Sequence, residues 1–481
     1  MRKTLLLLTL LALAGCVTLP PMKQIKPDLP AAWPEGNPQA TIAADWWTAY
    51  NDPALDKLMA EALAHNRDLK SAAARIEEAR TNLGLADADR FPEVQIGADA
   101  GRSRVSSRGS MPLPATASPT NNHYKLNLQA AWEVDLWGRY REAKAAARAD
   151  LLATEHARQV IHSSLTGAIA QGYFALAALD AETRLAQDTL ANRREAVALH
   201  RLRFEGGVAS ELTLRQAEAE QASVEISLAQ FGQQVRRQEL ALAVLLGREP
   251  RAIMQETITR GARLGDLTLP PAVPAGLPSD LLLRRPDLRQ AEQKLFSAQA
   301  RIREAGAAIY PNLSLTANLG TESKALSDLF SGPAGIWGLT AGLSQTLFNA
   351  GRTKAAIKAA DARQELALIA YEQTLQVAFK EVLDALVTHR QTRETGAAEA
   401  RRVDALKHAA ELADLRYRNG VSNYLEALDA RRNLFQAEQG GIEARHAQLA
   451  ASADLFKALG GGWELAPPLE APLQPQREAQ P

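Results

Sequence analysis

Apolar positions along this chain keep two rhythms. From Leu214 they recur at alternating steps of three and four, through Ala217, Gln221, Val224, Leu228, Phe231, Val235, Gln238, Leu242 and Leu245. That is a coiled-coil seam with two polar interruptions. Upstream, the segment 140–204 keeps the same rhythm through Leu165, Ile169, Gly172, Leu176, Leu179, Thr183, Ala186 and Leu190. Between Pro92 and Gly138 the period falls to two. Val94, Ile96, Ala98 and Ala100 alternate with Gln95, Gly97, Asp99 and Gly101. After a Ser/Pro/Asn-rich stretch, Tyr124, Leu126, Leu128, Ala130, Trp132 and Val134 alternate with Lys125, Asn127, Gln129 and Glu133. The pattern predicts long helices on either side of a two-stranded hairpin.

The whole arrangement is written twice. Asp68-Leu69, Ala72, Phe91-Pro92, Val94 and Ile96 return 219 residues later as Asp287-Leu288, Ala291, Tyr310-Pro311, Leu313 and Leu315. Further along the offset is 213: Gly138-Arg139, Leu202-Arg203-Phe204, Gly207-Val208 and Leu246-Gly247 return as Gly351-Arg352, Leu415-Arg416-Tyr417, Gly420-Val421 and Leu459-Gly460. Copies of this length are duplicated halves, not solenoid units. The second seam is lined by Ala427, Ala430, Leu434, Ala437, Gly441, Ala444, Gln448, Ala451, Leu455 and Ala458, small residues that imply close helix approach. No proline occurs from 120 to 249 or from 334 to 466, so each half has room for very long helices. At 1.5 Å per residue the segment 140–204 would measure about 98 Å, and segments 68–90 and 212–247 together about 88 Å. The two shorter helices are therefore expected to stack end to end alongside the long one. Gly206-Gly207 and Asn419-Gly420 would turn the chain at a common tip, because Gly and Asn tolerate positive φ.

The second hairpin repeats the period of two with Leu313, Leu315, Ala317 and Leu319, then Trp337, Leu339, Ala341 and Leu343. Each strand has about the ten residues that cross a bilayer, apolar on one face only. Trp132, Trp337 and Phe330 are candidates for the membrane interfaces. A membrane barrel must close, and the smallest bacterial ones have about eight strands, so four cannot span alone. Either several chains share one barrel or the strands form a soluble sheet. Recurrence of the apolar face in all four strands favours sharing.

Met1-Arg2-Lys3 followed by the apolar run Leu5–Ala14 has the proportions of a signal peptide, too short to span a bilayer as a helix. It ends in Leu13-Ala14-Gly15-Cys16, which resembles a bacterial lipobox. That resemblance implies cleavage before Cys16 and lipid on its thiol and new amine, an anchor of several acyl chains, and so a partner in outer-membrane lipid. Cys16 is the only cysteine, which excludes an intrachain disulfide framework. The expected domains are a signal peptide at 1–15 and a lipidated tether at 16–41. The first repeat follows at 42–265, with its hairpin at about 93–136 and tip at 205–211. The second repeat occupies 266–463, with its hairpin at about 312–347 and tip at 418–424, and a Pro-rich tail at 464–481 closes the chain.

Charge and composition remove other readings. Lys and Arg total 55, balanced by 55 acids, and losing residues 1–15 removes Arg2 and Lys3 to leave −2. No polycationic surface is available for nucleic acid. The eight histidines form no i,i+4 pair, and neither a nucleophile elbow nor a phosphate-binding loop occurs, so no catalytic residue, metal site or cofactor other than the covalent lipid is expected.

Duplicated halves built as helix, hairpin, long helix, tip and helix resemble the TolC-like outer-membrane efflux channels. More narrowly, they look like the lipoprotein branch that serves resistance–nodulation–division pumps. The residues that carry the resemblance are Glu133-Val134-Asp135-Leu136-Trp137-Gly138-Arg139, Arg284-Arg285-Pro286-Asp287-Leu288, Arg203-Phe204 with Gly207-Val208, and Arg416-Tyr417 with Asn419-Gly420-Val421. The fold implied is mainly α with membrane β. Long coiled-coil helices form a periplasmic α-barrel, and four strands per chain contribute to a twelve-stranded β-barrel shared by a homotrimer. The implied localisation is the outer membrane of a Gram-negative bacterium, with a large periplasmic part. The implied partners are a periplasmic adaptor and an inner-membrane pump of that class, and the role is a passive exit duct for drugs or other small toxic compounds. An exit channel for type I protein secretion or metal efflux, and a non-channel coiled-coil spacer, remain as alternatives.

Departures between the halves mark candidate function. Thr213 and Gln216 become Glu426 and Asp429, Phe204 becomes Tyr417, and Leu176 becomes His389. One reading is an exposed face on which Asp429 pairs with Arg432 or Arg431. The resemblance implies another, in which Leu425, Glu426 and Asp429 ring a periplasmic gate and Tyr417 belongs to the contacts that restrain it. Some relatives have Asp where Glu426 stands. The tips, Gly206, Gly207 and Val208 with Asn419, Gly420 and Val421, are the expected adaptor-docking surface.

Overall fold

A computed structural model of the chain describes residues 28–30, 43–106, 118–270 and 284–461. Cys16, the signal segment, nearly all of the tether and the tail at 464–481 lie outside the described residues. A 3-10 turn, Trp46–Tyr50, precedes α1 (Pro53–His65) and α2 (Arg67–Ala88). The first hairpin is β1 (Glu93–Arg104) and β2 (Thr120–Val134), followed by α3 (Arg139–Glu205), α4 (Glu211–Leu245) and the short α5 (Pro250–Gln255). The second half repeats this with α6 (Pro286–Ala307), β3 (Asn312–Ser323), β4 (Gly335–Ser344), α7 (Arg352–Arg418) and α8 (Tyr424–Ala458). The copies agree closely in length: α3 and α7 have 67 residues each, and α4 and α8 have 35 each. Among the described residues no helix is long and apolar enough to cross a membrane.

Contacts divide the chain into two units, each drawing segments from both repeats. One contains Ile76–Thr154 and Ala291–Tyr371 and holds the sheet. Its four strands are antiparallel in the order β1-β2-β3-β4. Register decides what the sheet can do, because residues directly opposite share a face. Ile96 faces Leu128, Leu128 faces Leu319, and Leu319 faces Trp337. One row along, Ala98 faces Leu126; two rows the other way, Trp132 faces Leu315 and Leu315 faces Ala341. In these rows apolar meets apolar, with Leu126 opposite Thr321 and Tyr124 opposite Ser323 nearer the strand ends, while Gln95, Gln129, Asn318 and Gly338 align on the other face. The apolar face is uncovered: Ile96 is 76% exposed, Trp337 80% and Leu339 74%.

The motif 133–139 serves the passage from β2 into α3. The Asp135 carboxylate accepts from the N–H of Tyr140 at 3.3 Å and of Arg141 at 2.9 Å, capping the helix start. The Tyr140 hydroxyl donates to Glu133 at 3.0 Å. Trp137 reaches across to the other repeat, where its Nε1 donates to the Pro311 carbonyl at 2.8 Å and its ring stacks on Tyr310 at 4.7 Å. Trp132 is likewise anchored, donating to the Arg90 carbonyl at 2.9 Å.

The second unit comprises the described parts of 27–75, 155–290 and 372–481. Its core is built around Trp46, Tyr50, Phe174, Ile169, Leu242, Leu449 and Phe456, all buried. Trp46 stacks on Phe456 at 5.4 Å, and the hydroxyls of Tyr50 and Ser452 share a hydrogen bond of 2.6 Å. The predicted seams are the buried faces: Ala186 and Leu190 of α3 pack on Val224, Leu228 and Phe231 of α4.

End-to-end stacking is visible at both helix junctions. The Asn66 side chain donates to the last helical carbonyl of α4, Leu245, at 2.8 Å, and its Oδ1 accepts from the N–H groups of Asp68 and Leu69 at the start of α2. In the second copy Arg285 does this work, donating to the Ala458 carbonyl at 3.1 Å while pairing with Asp287 at 2.6 Å and Glu381 at 2.7 Å. Its burial explains why the Arg-Pro-Asp motif is built as it is: a buried guanidinium needs carboxylates on hand. Gly247 closes α4 at φ +72°, and a Cβ there would lie 2.3 Å from the His65 carbonyl oxygen. Gly247→Ala is therefore expected to cost about 1–2 kcal/mol for the left-handed backbone alone, with a further penalty for the clash. Gly265→Ala, where φ is ordinary and nothing lies within 4 Å, should change stability by less than about 0.5 kcal/mol. Thermal unfolding in detergent of the two variants checks the contrast; equal shifts would contradict the junction.

Candidate functional site

The tips are formed by the same local chemistry in both copies. At the end of α3 the N–H of Gly207 donates to the Phe204 carbonyl and that of Val208 to the Arg203 carbonyl, each at 2.9 Å. At the end of α7, Gly420 and Val421 donate to Tyr417 and Arg416 in the same way. This is the Schellman closure, which needs one left-handed residue, and φ is +72° at Gly207 and +70° at Gly420. Only the second residue of each predicted pair adopts positive φ. Gly206 keeps a helical bond to the Leu202 carbonyl, and Asn419 uses its side chain to donate to the Leu415 carbonyl at 2.9 Å. The return helices are capped by Ser210, which accepts from Thr213 N, and Asn423, which accepts from Glu426 N at 3.0 Å. Val208 and Val421 project at the turns, 78% and 66% exposed.

Below the turns, α3, α4, α7 and α8 meet in a small apolar cluster of Val197, Leu214, Ala217, Tyr424 and Leu428, with Tyr417 against it. Polar groups tie the helices together around it, some across the repeats and some within the second. Arg203 donates to the Tyr417 hydroxyl at 3.1 Å, joining α3 to α7. Arg432 pairs with buried Glu220, joining α8 to α4. Arg431 pairs with Asp414 at 2.8 Å and Arg416 with Glu426 at 3.0 Å, joining α7 to α8. His200 of α3 is buried, its ring edge-on to Tyr424 at 4.3 Å and 6.2 Å from Tyr417. Burial, then the Arg203 and Arg431 guanidiniums, hold this imidazole below its usual range. Burial pushes the Tyr424 phenol up, against the opposing pull of Arg193 and Arg431. His200 Nδ1, Tyr424 OH and Asp414 Oδ1 are buried without a hydrogen-bond partner among the described residues. Each such group costs about 1–3 kcal/mol, so the tip is the less secure end of a well-packed bundle.

The predicted gate residues divide. Tyr417 is drawn into the cluster, whereas Leu425, Glu426 and Asp429 stay at the surface. Asp429 lies 3.7 Å from Arg432, the local pairing expected for an exposed face, while Arg431 is engaged elsewhere. Glu426 is held by Arg416, a partner sequence reasoning missed. Also missed were His200, Tyr424 and Glu220. The signal was available in the same comparison of halves: their counterparts at offset 213 are Ala413, Glu211 and Asn433.

Comparison with known proteins places these features in company. A model of the family described as "Outer membrane efflux protein" matches residues 58–248 and again 277–461. The chain is similar to "Probable outer membrane lipoprotein SilC" of Salmonella typhimurium, 33% identical over 96% of this chain and 99% of that one. It is 33% identical to "Cation efflux system protein CusC" of an Escherichia coli O6:H1 strain, over 94% of this chain and 97% of that one. With "Probable efflux pump outer membrane protein TtgC" of Pseudomonas putida the identity is 35% over 96% of each. Among solved structures, the outer-membrane channel OprN superposes with a TM-score of 0.85 at 29% identity, covering 93% of this chain and 100% of that one. The open state of the Neisseria gonorrhoeae MtrE outer membrane channel gives 0.83 at 31%, covering 93% and 98%.

The ion pairs at the tip should differ in strength. A double-mutant cycle on Glu220→Gln and Arg432→Gln should return a coupling of about 1–3 kcal/mol, because Glu220 is buried. The same cycle on exposed Arg416 and Glu426 should return less than about 1 kcal/mol. Unfolding midpoints in detergent report both, and equal couplings would mean that burial does not set the strength of these pairs.

Proposed function

Since the chain belongs to the outer membrane efflux protein family, we propose that it is the outer-membrane exit channel of a tripartite efflux pump, working as a homotrimer. The observation that carries this reading is the sheet. Its apolar residues lie in register on one uncovered face, and β1 and β4 each leave one edge unpaired among the described residues. Exposing side chains such as Ile96, Leu319, Trp337 and Leu339 to water forgoes about 1.5–3 kcal/mol each, and lipid removes that cost. Lipid in turn forbids open edges, because each unpaired backbone group there costs several kcal/mol. β4 of one copy must therefore pair with β1 of another. Eight strands are the smallest closed set, which requires at least two copies, and the family resemblance implies three and a barrel of twelve.

The helices then continue the duct into the periplasm. Leu425, Glu426 and Asp429, exposed on each chain, form the gate, and three copies of the two carboxylates make an acidic ring that attracts cations. Tyr417, restrained by Arg203, sets how far α7 and α8 stand from α3 and α4. The tips, with Val208 and Val421 projecting, dock the periplasmic adaptor, which links the channel to an inner-membrane pump of the resistance–nodulation–division type. Cys16 carries the lipid anchor, a reading supported by the likeness to SilC, which is named as a probable outer membrane lipoprotein. The channel supplies no energy of its own. The relatives are named for cation efflux and for an efflux pump at 33% and 35% identity, which supports a common duct whose cargo is chosen by the pump.

Leu425→Ala with Asp429→Ala should raise conductance in planar bilayers several-fold and admit antibiotics to cells; unchanged conductance would remove these residues from the gate. Val208→Asp with Val421→Asp should abolish drug efflux while trimers still form. Loss of trimers instead would show that the two valines only fold the tip.

A further inference from the structure

We propose that His200 is a proton-operated latch: its neutral ring holds α7 and α8 against α3 at the tip, and uptake of one proton loosens them. The ring is only 2% exposed, and the Tyr424 ring that covers it comes from the return helix of the other repeat. Its Nδ1 has no acceptor among the described residues. An imidazolium in this place would carry a second donor with nowhere to bond.

The charged surroundings from each packed element point the same way. On α3 itself, Arg203 lies one turn onward and Arg193 two turns back on the same side. From α8, Arg431 adds a third guanidinium to the same neighbourhood. The carboxylates are already engaged: Asp414 of α7 by Arg431, and Glu220 of α4 by Arg432. The facing phenols of Tyr417 and Tyr424 are neutral, the first accepting from Arg203. A proton on His200 therefore meets repulsion from the guanidiniums, while the carboxylates of Asp414 and Glu220 already have guanidinium partners of their own. The counterpart at offset 213 is Ala413, so each chain carries one such latch.

The sign follows from linkage. Burial and the neighbouring guanidiniums hold the imidazole below its ordinary value of 6.5, so a loosened tip binds the proton more tightly than a closed one. The closed tip keeps its full stability above pH 6.5 and loses it progressively as the pH falls below. One proton taken up in this way raises the local opening equilibrium by up to about tenfold between pH 7.5 and 5.5. The consequence for transport rests on the reading of the tips as the gated end of a channel; the latch itself does not.

Hydrogen exchange of the full-length complex in detergent, corrected for the intrinsic pH dependence, tests the latch directly. Peptides covering 190–204 and 412–430 should exchange up to about tenfold faster at pH 5.5 than at 7.5, while sheet peptides such as 124–134 stay unchanged. In His200→Gln the pH response of the tip should vanish. Equal protection of the wild-type tip at both pH values overturns the proposal, and this arm needs no variant to fold. A His200→Gln tip that still responds overturns it as well. Planar-bilayer conductance at the same two pH values separates the two readings: a tip that loosens without any rise in conductance leaves the latch standing and refutes the gate.

Discussion

Backbone hydrogen bonding in lipid is the constraint on which the rest of the structure depends. Among the described residues one chain builds a sheet of four strands, apolar on a single face and unpaired at both edges. Water would solvate the edges but not the face, and lipid would accept the face but not the edges. The conflict disappears only when copies share one cylinder. A duplicated chain suits that solution, because each copy contributes two hairpins already joined by the β2–β3 pairing, with Trp132 opposite Leu315 and Leu128 opposite Leu319.

Duplication has a second effect at the helices. Long helices of equal length can be run alongside shorter ones only if the shorter ones meet without a gap, and both junctions show how this is done. Asn66 and Arg285 occupy equivalent places and both donate to a carbonyl at the end of the preceding helix, but only Asn66 also caps the start of the next one. Asn66 needs no counter-charge. Arg285 needs two, and takes them from Asp287 and Glu381. At the tip the copies diverge further. His200, Tyr424 and Glu220 have no like residue in the other copy; the His200–Tyr424 ring contact and the Glu220–Arg432 pair join the first half to the second, as does the bond from Arg203 to Tyr417. A region held by polar contacts, with several buried groups that have no partner among the described residues, is suited to opening, in contrast to the aromatic core around Trp46 and Phe456.

Much of the architecture could be read from the sequence because period and repetition are local properties. The seam from Leu214 to Leu245, the four alternating strands and the glycines at the turns carry their geometry in their own spacing. What spacing does not carry is the partner across the fold. The sequence offers Asp429 both Arg431 and Arg432, and only folding shows that Asp414 takes the first. Glu426 meets Arg416, ten residues away across a turn, a distance no helical periodicity encodes. Trp137 looks like an ordinary motif residue until the other repeat brings Pro311 and Tyr310 beneath it. The pairing of Gly206 with Gly207 was also opaque: two glycines permit positive φ at either, and the Schellman bonds select the second.

The central claim is that identical neighbours complete the cylinder, and the mass of the complex released intact from detergent tests it most directly. The account predicts a particle of three chains. A particle of one chain that stays in water without detergent would contradict it, since such a molecule would have found a way to cover its own apolar face and both of its open strands.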